Sequence, residues 1–158
     1  TYLKQSQPME IINFEMKKLI LLIVLFFTFT IHSQKNEIEH TIKLFFEGFH
    51  QRDTIKLKSV CSENLVLHSI SESERGNKFS VEKAPDFYKS IASIPTTMKF
   101  EEKILDYKIQ IDGTMAHVWT PYEFYVNDKL SHSGVNSFQL YKENEVWKVV
   151  YIIDTRRK

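Results

Sequence analysis

The sequence predicts an α+β domain, with helices first and an antiparallel sheet last. Three observations predict it. Ile38, Ile42, Phe45, Phe46 and Phe49 recur at helical spacing and draw one apolar stripe. From residue 100 onward four β-rich runs follow one another, separated by Asp112-Gly113, Asn127-Asp128 and Glu143-Asn144. The composition is 42% hydrophobic and 13% aromatic with only 4 Gly and 4 Pro in 158 residues, which favours one packed core over disorder.

Charge and cysteine content exclude several classes. Lys and Arg number 21 against 20 Asp and Glu, a net charge of +1. That excludes a strongly basic nucleic-acid binder and an acidic tail, so no nucleic-acid partner is expected. The single cysteine, Cys61, forms no internal disulfide, and no Cys/His cluster has zinc spacing.

The first 34 residues read as separate from the fold. Residues 19–31 form an uncharged apolar run preceded by Met16, Lys17 and Lys18, the parts of a secretory signal peptide. The run is shorter than the roughly 20 residues that cross a bilayer. His32-Ser33-Gln34-Lys35 ends it, and cleavage is expected near Ser33 or Gln34, leaving a periplasmic or secreted chain that meets a membrane only during export. An uncleaved anchor is the alternative. Residues 1–15 fit no part of a signal peptide; we expect translation to start at Met16. The expected mature domain, residues 35–158, holds 18 basic and 18 acidic residues and has no global field to steer a charged polymer.

Along that domain, residues 36–52 are the first helix. Asp53 caps a second over residues 54–60. Residues 64–71 read as a strand and residues 72–78 as a hairpin tip. Ser80 is expected to cap a helix over residues 81–94, with Pro85 in its first turns and Pro95 at its end. The β-rich runs cover residues 102–111, 115–126, 130–141 and 146–154.

Hairpin register decides which side chains share a face, because a slip of one residue inverts a strand. Two-residue turns at Asn127-Asp128 and Glu143-Asn144 place Glu123 opposite His132, Trp119 opposite Asn136 and Asn136 opposite Tyr151. A three-residue loop at Asp112-Gly113 sets Tyr107 beside His117. The inner face would then carry Leu105, Tyr107, Ile109, Met115, Trp119, Phe138, Leu140, Trp147, Val149, Tyr151 and Ile153, with His117, Glu123, His132 and Asn136 as its polar members. The candidate pocket is Tyr107, Trp119, Glu123, His132, Asn136 and Tyr151. The outer face would carry Val118, Thr120, Tyr122, Phe124, Val135, Ser137, Tyr141, Val150 and Ile152, apolar enough to suggest pairing with a second copy.

The closing stretch HSGVNSFQLY, residues 132–141, followed by WKVVYIIDTRR, residues 147–157, resembles the NTF2-like superfamily of cystatin-like cones, which includes the SnoaL-like proteins. It is most similar to the secreted bacterial branch labelled nuclear transport factor 2 family or lumazine-binding. The segment DGTMAHVWTPYEFYVND, residues 112–128, the first amphipathic helix and Asp53 fit the same branch. The resemblance covers residues 36–158. It implies a curved antiparallel sheet wrapped by about three helices, a deep cleft and dimerisation through the sheet. It does not imply one activity, since this fold hosts isomerases, dehydratases, cyclases, adaptors and binders.

Function is therefore read as small-molecule binding in the cleft, of an apolar or mixed ligand. The alternatives are a cofactor-free isomerase, dehydratase or cyclase with His132 or Glu123 as base, and a protein-interaction module using the sheet face. Glu123 and His132 read either as a carboxylate–imidazole base or as a structural polar pair. Asn136, Tyr107 or Tyr151 could donate to an oxyanion, or Asn136 could bond to backbone. Trp119 and Trp147 read more simply as core. Arg156, Arg157 and Lys158 read as a solvated basic tail. No residue matches a steroid-isomerase motif, so no catalytic role is assigned and no cofactor is implied. His117 and Glu123 lie six residues apart on one strand, about 20 Å, too far for a shared metal.

Overall fold

The computed structural model describes residues 7–158; nothing is described of residues 1–6, nor of the side chains of residues 7–13, 15, 24 and 26–32. Part of the expected start-site segment, residues 1–15, and of the expected leader, residues 16–34, thus lies outside the described residues. The chain divides into two compact units, Thr1–Asn36 and Glu37–Lys158. In the first, the described residues are helical, and Leu19, Ile20, Leu21 and Leu22 are exposed. Among the described residues no helix is long and apolar enough to cross a membrane.

The elements are α1 (Gln7–Gln51), α2 (Thr54–Val60), β1 (Cys61–Glu72), β2 (Lys78–Lys83), α3 (Ala84–Ala92), β3 (Phe100–Ile104), β4 (Lys108–Asp112), β5 (Met115–Val126), β6 (Lys129–Glu143) and β7 (Val146–Arg157). One seven-stranded sheet runs β2-β1-β7-β6-β5-β3, with β4 also paired to β5. The β1–β7 pair is parallel; every other pair is antiparallel. The sheet is curved and does not close. The α+β class expected from the sequence is the observed one.

The apolar stripe of α1 packs as its spacing requires. Ile38 and Ile42 are fully buried, Phe45 and Phe46 nearly so, and Phe49 is half-buried. Each such side chain contributes about 1.5–3 kcal/mol of burial. Phe45 and Phe46 both meet Phe138 of β6 edge-on, with centroids 5.5 and 5.8 Å apart. Gly48 lets α2 approach: a Cβ there would stand 3.1 Å from Leu57. Asp53 caps α2 as expected, accepting from the Ile55 and Lys56 amides.

Arg52, at φ +59°, then orders the path into β3. Its guanidinium donates to the carbonyls of Ile94, Pro95 and Met98 and covers the Phe100 ring. Glycine tolerates that backbone angle. Arg52→Gly should therefore isolate the loss of these charged hydrogen bonds, about 1–2 kcal/mol in urea unfolding, with faster amide exchange over residues 95–99. Unchanged exchange there would count against this role.

The segment 78–94 differs from the sequence expectation. Residues 78–83 form β2 against β1, and α3 begins only at Ala84, with Pro85 in its first positions. Ser80 caps no helix; its hydroxyl donates across the hairpin to the Ser69 carbonyl. The expected 102–111 strand is two strands. Opposite the break sits Pro121, which has no N–H to offer, and Asp106 takes the Tyr107 amide into a local bond at 2.8 Å.

The hairpin registers differ as well, and here the faces are decided. The Asn127-Asp128 turn has two residues, both at positive φ, pairing Val126 with Lys129. A bulge follows immediately: Tyr125 pairs with Leu130 but Phe124 with His132. The extra residue, Ser131, inverts β5 relative to β6. The next turn is Asn144-Glu145 rather than Glu143-Asn144, and a second bulge at Val150 inverts the far half of β7. At the first hairpin Asp112 pairs with Met115, leaving a two-residue Gly113-Thr114 turn instead of three. Val118, Thr120, Tyr122 and Phe124 are consequently inward, and Met115, Trp119, Glu123, Tyr151 and Ile153 outward.

Candidate functional site

A cavity of about 280 Å³ lies on the concave side of the sheet. Phe45, Phe46 and Phe49 of α1, Phe87 of α3, Phe124 of β5 and Phe138 of β6 line it with rings. Its polar wall is built from Glu102 of β3, His132 and Asn136 of β6, Tyr122 of β5 and Asp154 and Arg156 of β7. Glu82 of β2 and Ser90 and Ile91 of α3 complete it. A neighbouring cavity of about 380 Å³, bordered by Ser69, Ser71 and Ser80, shares Glu82, Phe87, Asp154 and Arg156 with it.

Glu102 is the acid that β3 brings to the site, half-buried, beside the buried Asp154. Phe100, Glu102 and Ile104 alternate to one side of β3, so the carboxyl points the same way as its apolar neighbours. It accepts a 2.6 Å hydrogen bond from the Asn136 amide. Burial pushes it up to about 7; the Asn136 bond opposes the shift and the nearby Asp154 charge adds to it. The backbone amide of Glu102 donates to His50 Nε2 at 2.9 Å, which leaves the His50 proton on Nδ1. Burial holds His50 below the usual imidazole range.

Across the wall, Tyr122 donates to the Thr155 carbonyl at 2.9 Å and reaches Asp154 Oδ2 at 3.4 Å. Burial raises its phenol. Arg156 Nε donates to Asp154 Oδ2 at 2.7 Å. His132 stacks on Phe124, centroids 4.8 Å apart, and meets Tyr122 edge-on at 5.8 Å. Burial first, and Arg156 second, hold its imidazole below the ordinary value. The site thus offers a proton-sharing carboxyl near neutrality and a neutral imidazole against a wall of rings. Among the described residues, no group of three His, Cys, Asp or Glu could hold a metal ion.

Of the six candidate pocket residues, the structure brings two together, His132 and Asn136. Glu123 faces outward, accepts from the Tyr125 hydroxyl at 2.8 Å and pairs with Ser133, not His132. Trp119 is 42% exposed on the outer face. Tyr151 lies there too, its hydroxyl 2.9 Å from His68 Nδ1. Tyr107 packs against the core beside Lys43, away from the cavity. The bulges at Ser131 and Val150 displace Trp119, Glu123 and Tyr151, and the Asp106 break displaces Tyr107. Sequence reasoning missed Glu102, Asp154 and Tyr122 and read Arg156 as tail. The legible signal was a charge in step with apolar residues: Glu102 between Phe100 and Ile104, and Asp154 two residues after Ile152.

No family model and no curated protein matches the chain. Solved structures do. An NTF2-like protein of unknown function from Shewanella baltica is 16% identical, with a TM-score of 0.57 over 80% of this chain and 95% of that one. A protein of unknown function from Mycobacterium tuberculosis is 11% identical, with a TM-score of 0.66 over 83% and 76%. A candidate dehydratase of the NTF2-like family from Streptomyces avermitilis is 12% identical, with a TM-score of 0.62 over 80% and 98%. The curved sheet, the helices on its concave side and these neighbours agree: the chain has the NTF2-like, cystatin-like fold.

Proposed function

We propose that this chain is an exported small-molecule-binding domain whose cleft seats a ring-bearing apolar body on the phenylalanines and a polar group beside Glu102. One observation carries the reading: a single cavity joins six phenyl rings to the Glu102–Asn136 and Asp154–Arg156 pairs. Apolar walls with a few converging polar groups are the usual build of a ligand site. The test is native mass spectrometry of the protein isolated from its own compartment. A co-purifying small molecule is expected. It should be lost in Ser90→Trp, which places an indole at the exposed rim without touching the core. An empty protein with no thermal shift across a broad ligand library would overturn the reading.

A second reading has its own support. Burial pushes the Glu102 carboxyl up to about 7, which suits it to move a proton on a bound carbon acid. This replaces His132 or Glu123 as the base in the isomerase or dehydratase alternative. Turnover with a pH dependence centred near 7 and absent in Glu102→Gln would establish it. We also propose that leader 16–34 is removed on export and that the domain pairs through its outward face, where Met115, Trp119 and Tyr141 are exposed. Sedimentation of Trp119→Glu against the natural chain tests the pairing.

A further inference from the structure

The charges around the cavity do not balance. Glu82, Glu102 and Asp154 line it against a single cationic side chain, Arg156. Arg156 is already bonded to Asp154 at 2.7 Å. Among the described residues, neither Glu82 nor Glu102 has an ion-pair partner. The remaining groups around Glu102 add no positive charge. They are Asn136 and His132 from β6, Tyr122 from β5 and His50 from α1 at its backbone amide. Both imidazoles are held toward their neutral forms by burial. Phenyl rings line the same cavity, and their π-faces attract cations.

We infer that the cleft selects an organic cation: a protonated amine carried on an apolar, ring-bearing body. The inference rests on the small-molecule reading above and names the ligand's charge class. An ammonium group beside Glu102 and Glu82 supplies the missing positive charge, and its apolar body stays on the rings. A carboxylate or phosphate ligand would instead add negative charge to a wall already in excess. A bare metal ion does not fit, because the carboxyls are arrayed around the cavity rather than closed on one point. Burial raises the affinity of Glu102 for a proton and the Asp154 charge adds to it, against the Asn136 bond and the Arg156 charge, so an ammonium seated there displaces that proton.

The consequence is a coupling between ligand and proton. With the Glu102 carboxyl pushed up to about 7, a bound ammonium should expel a fraction of a proton near pH 7 and almost none at pH 9. The test is calorimetric titration of the purified full chain with three probes of matched shape: 2-phenylethylamine, 2-phenylethanol and phenylacetate. At pH 8 the amine should bind at least about tenfold more tightly than the alcohol, with phenylacetate weakest. Repeating the amine titration at pH 7 in buffers of different ionisation heat should read the released proton. Glu102→Gln should bring amine and alcohol to within about twofold of each other, with a melting curve that shows it folded.

Alcohol or phenylacetate binding as tightly as the amine overturns the charge assignment and leaves the small-molecule reading standing. Absence of amine binding also overturns it, and the cleft is then judged by its co-purifying ligand alone. A preference for the amine that survives Glu102→Gln shows that the selection lies elsewhere and overturns the role of this wall.

Discussion

Gly134→Ala is expected to destabilise the domain by about 3 kcal/mol or more, the upper end of what overpacking costs. Gly134 sits in the middle of β6, opposite Tyr122 on one side and Arg156 on the other. A Cβ there would fall 1.7 Å from the Thr155 carbonyl oxygen and 3.0 Å from the Tyr122 ring. The obstruction is backbone, so no side-chain rotation relieves it. The same carbonyl accepts the Tyr122 hydroxyl, so moving β7 also breaks that bond and displaces Asp154 and Arg156. Chemical unfolding should show the loss in its midpoint. A melting temperature and midpoint equal to those of the natural chain would refute this account of Gly134.

Glu102→Gln should act in the opposite sense, and only at higher pH. The folded carboxyl is held near 7 against an ordinary value of 4.5, so the folded state binds a proton more tightly than the unfolded one. Stability from this group is therefore intact below pH 4.5, falls as pH rises from there to 7, and is fully lost above it. The shift corresponds to about 3 kcal/mol. The glutamine side chain cannot ionise and keeps an oxygen for Asn136. The variant should match the natural chain near pH 4 and exceed it by up to about 3 kcal/mol at pH 8. Glu82 shifts the same way, but it is common to both proteins and cancels in the difference. A variant less stable than the natural chain at pH 8 would show that Glu102 is not carried at a cost to the fold. A group that lowers stability while lining a cavity is the usual mark of a functional carboxyl.

The elements that the sequence specified well are those whose signal is local. The α1 stripe is a period of 3.6 in one short segment, and Asp53 is a cap that bonds within three residues. Ser80 misled because the same hydroxyl that caps helices bonds equally well across a hairpin, as it does to Ser69. Asn136 and His132 are legible in the sequence because the apolar Phe138 and Leu140 fix which side of β6 turns inward. Regular β5 and β7 strands would put Glu123, Trp119 and Tyr151 in the pocket. Both strands are apolar on both sides, Val118 beside Trp119 and Ile152 beside Ile153, so alternation could not say which side was inward.

What the sequence by itself determined was the class: an α+β domain without strong charge, a helix with one apolar stripe, and strands joined by turns of Asn, Asp and Gly. These follow from spacing and composition, which do not depend on distant contacts. The membership of the cleft was decided only in the tertiary structure. One inserted residue at Ser131 and another at Val150 invert whole half-strands, and nothing in the local pattern marks either insertion. Once inverted, β5 and β7 carry Tyr122, Asp154 and Arg156 to Glu102, and burial among phenylalanines gives that carboxyl its chemistry.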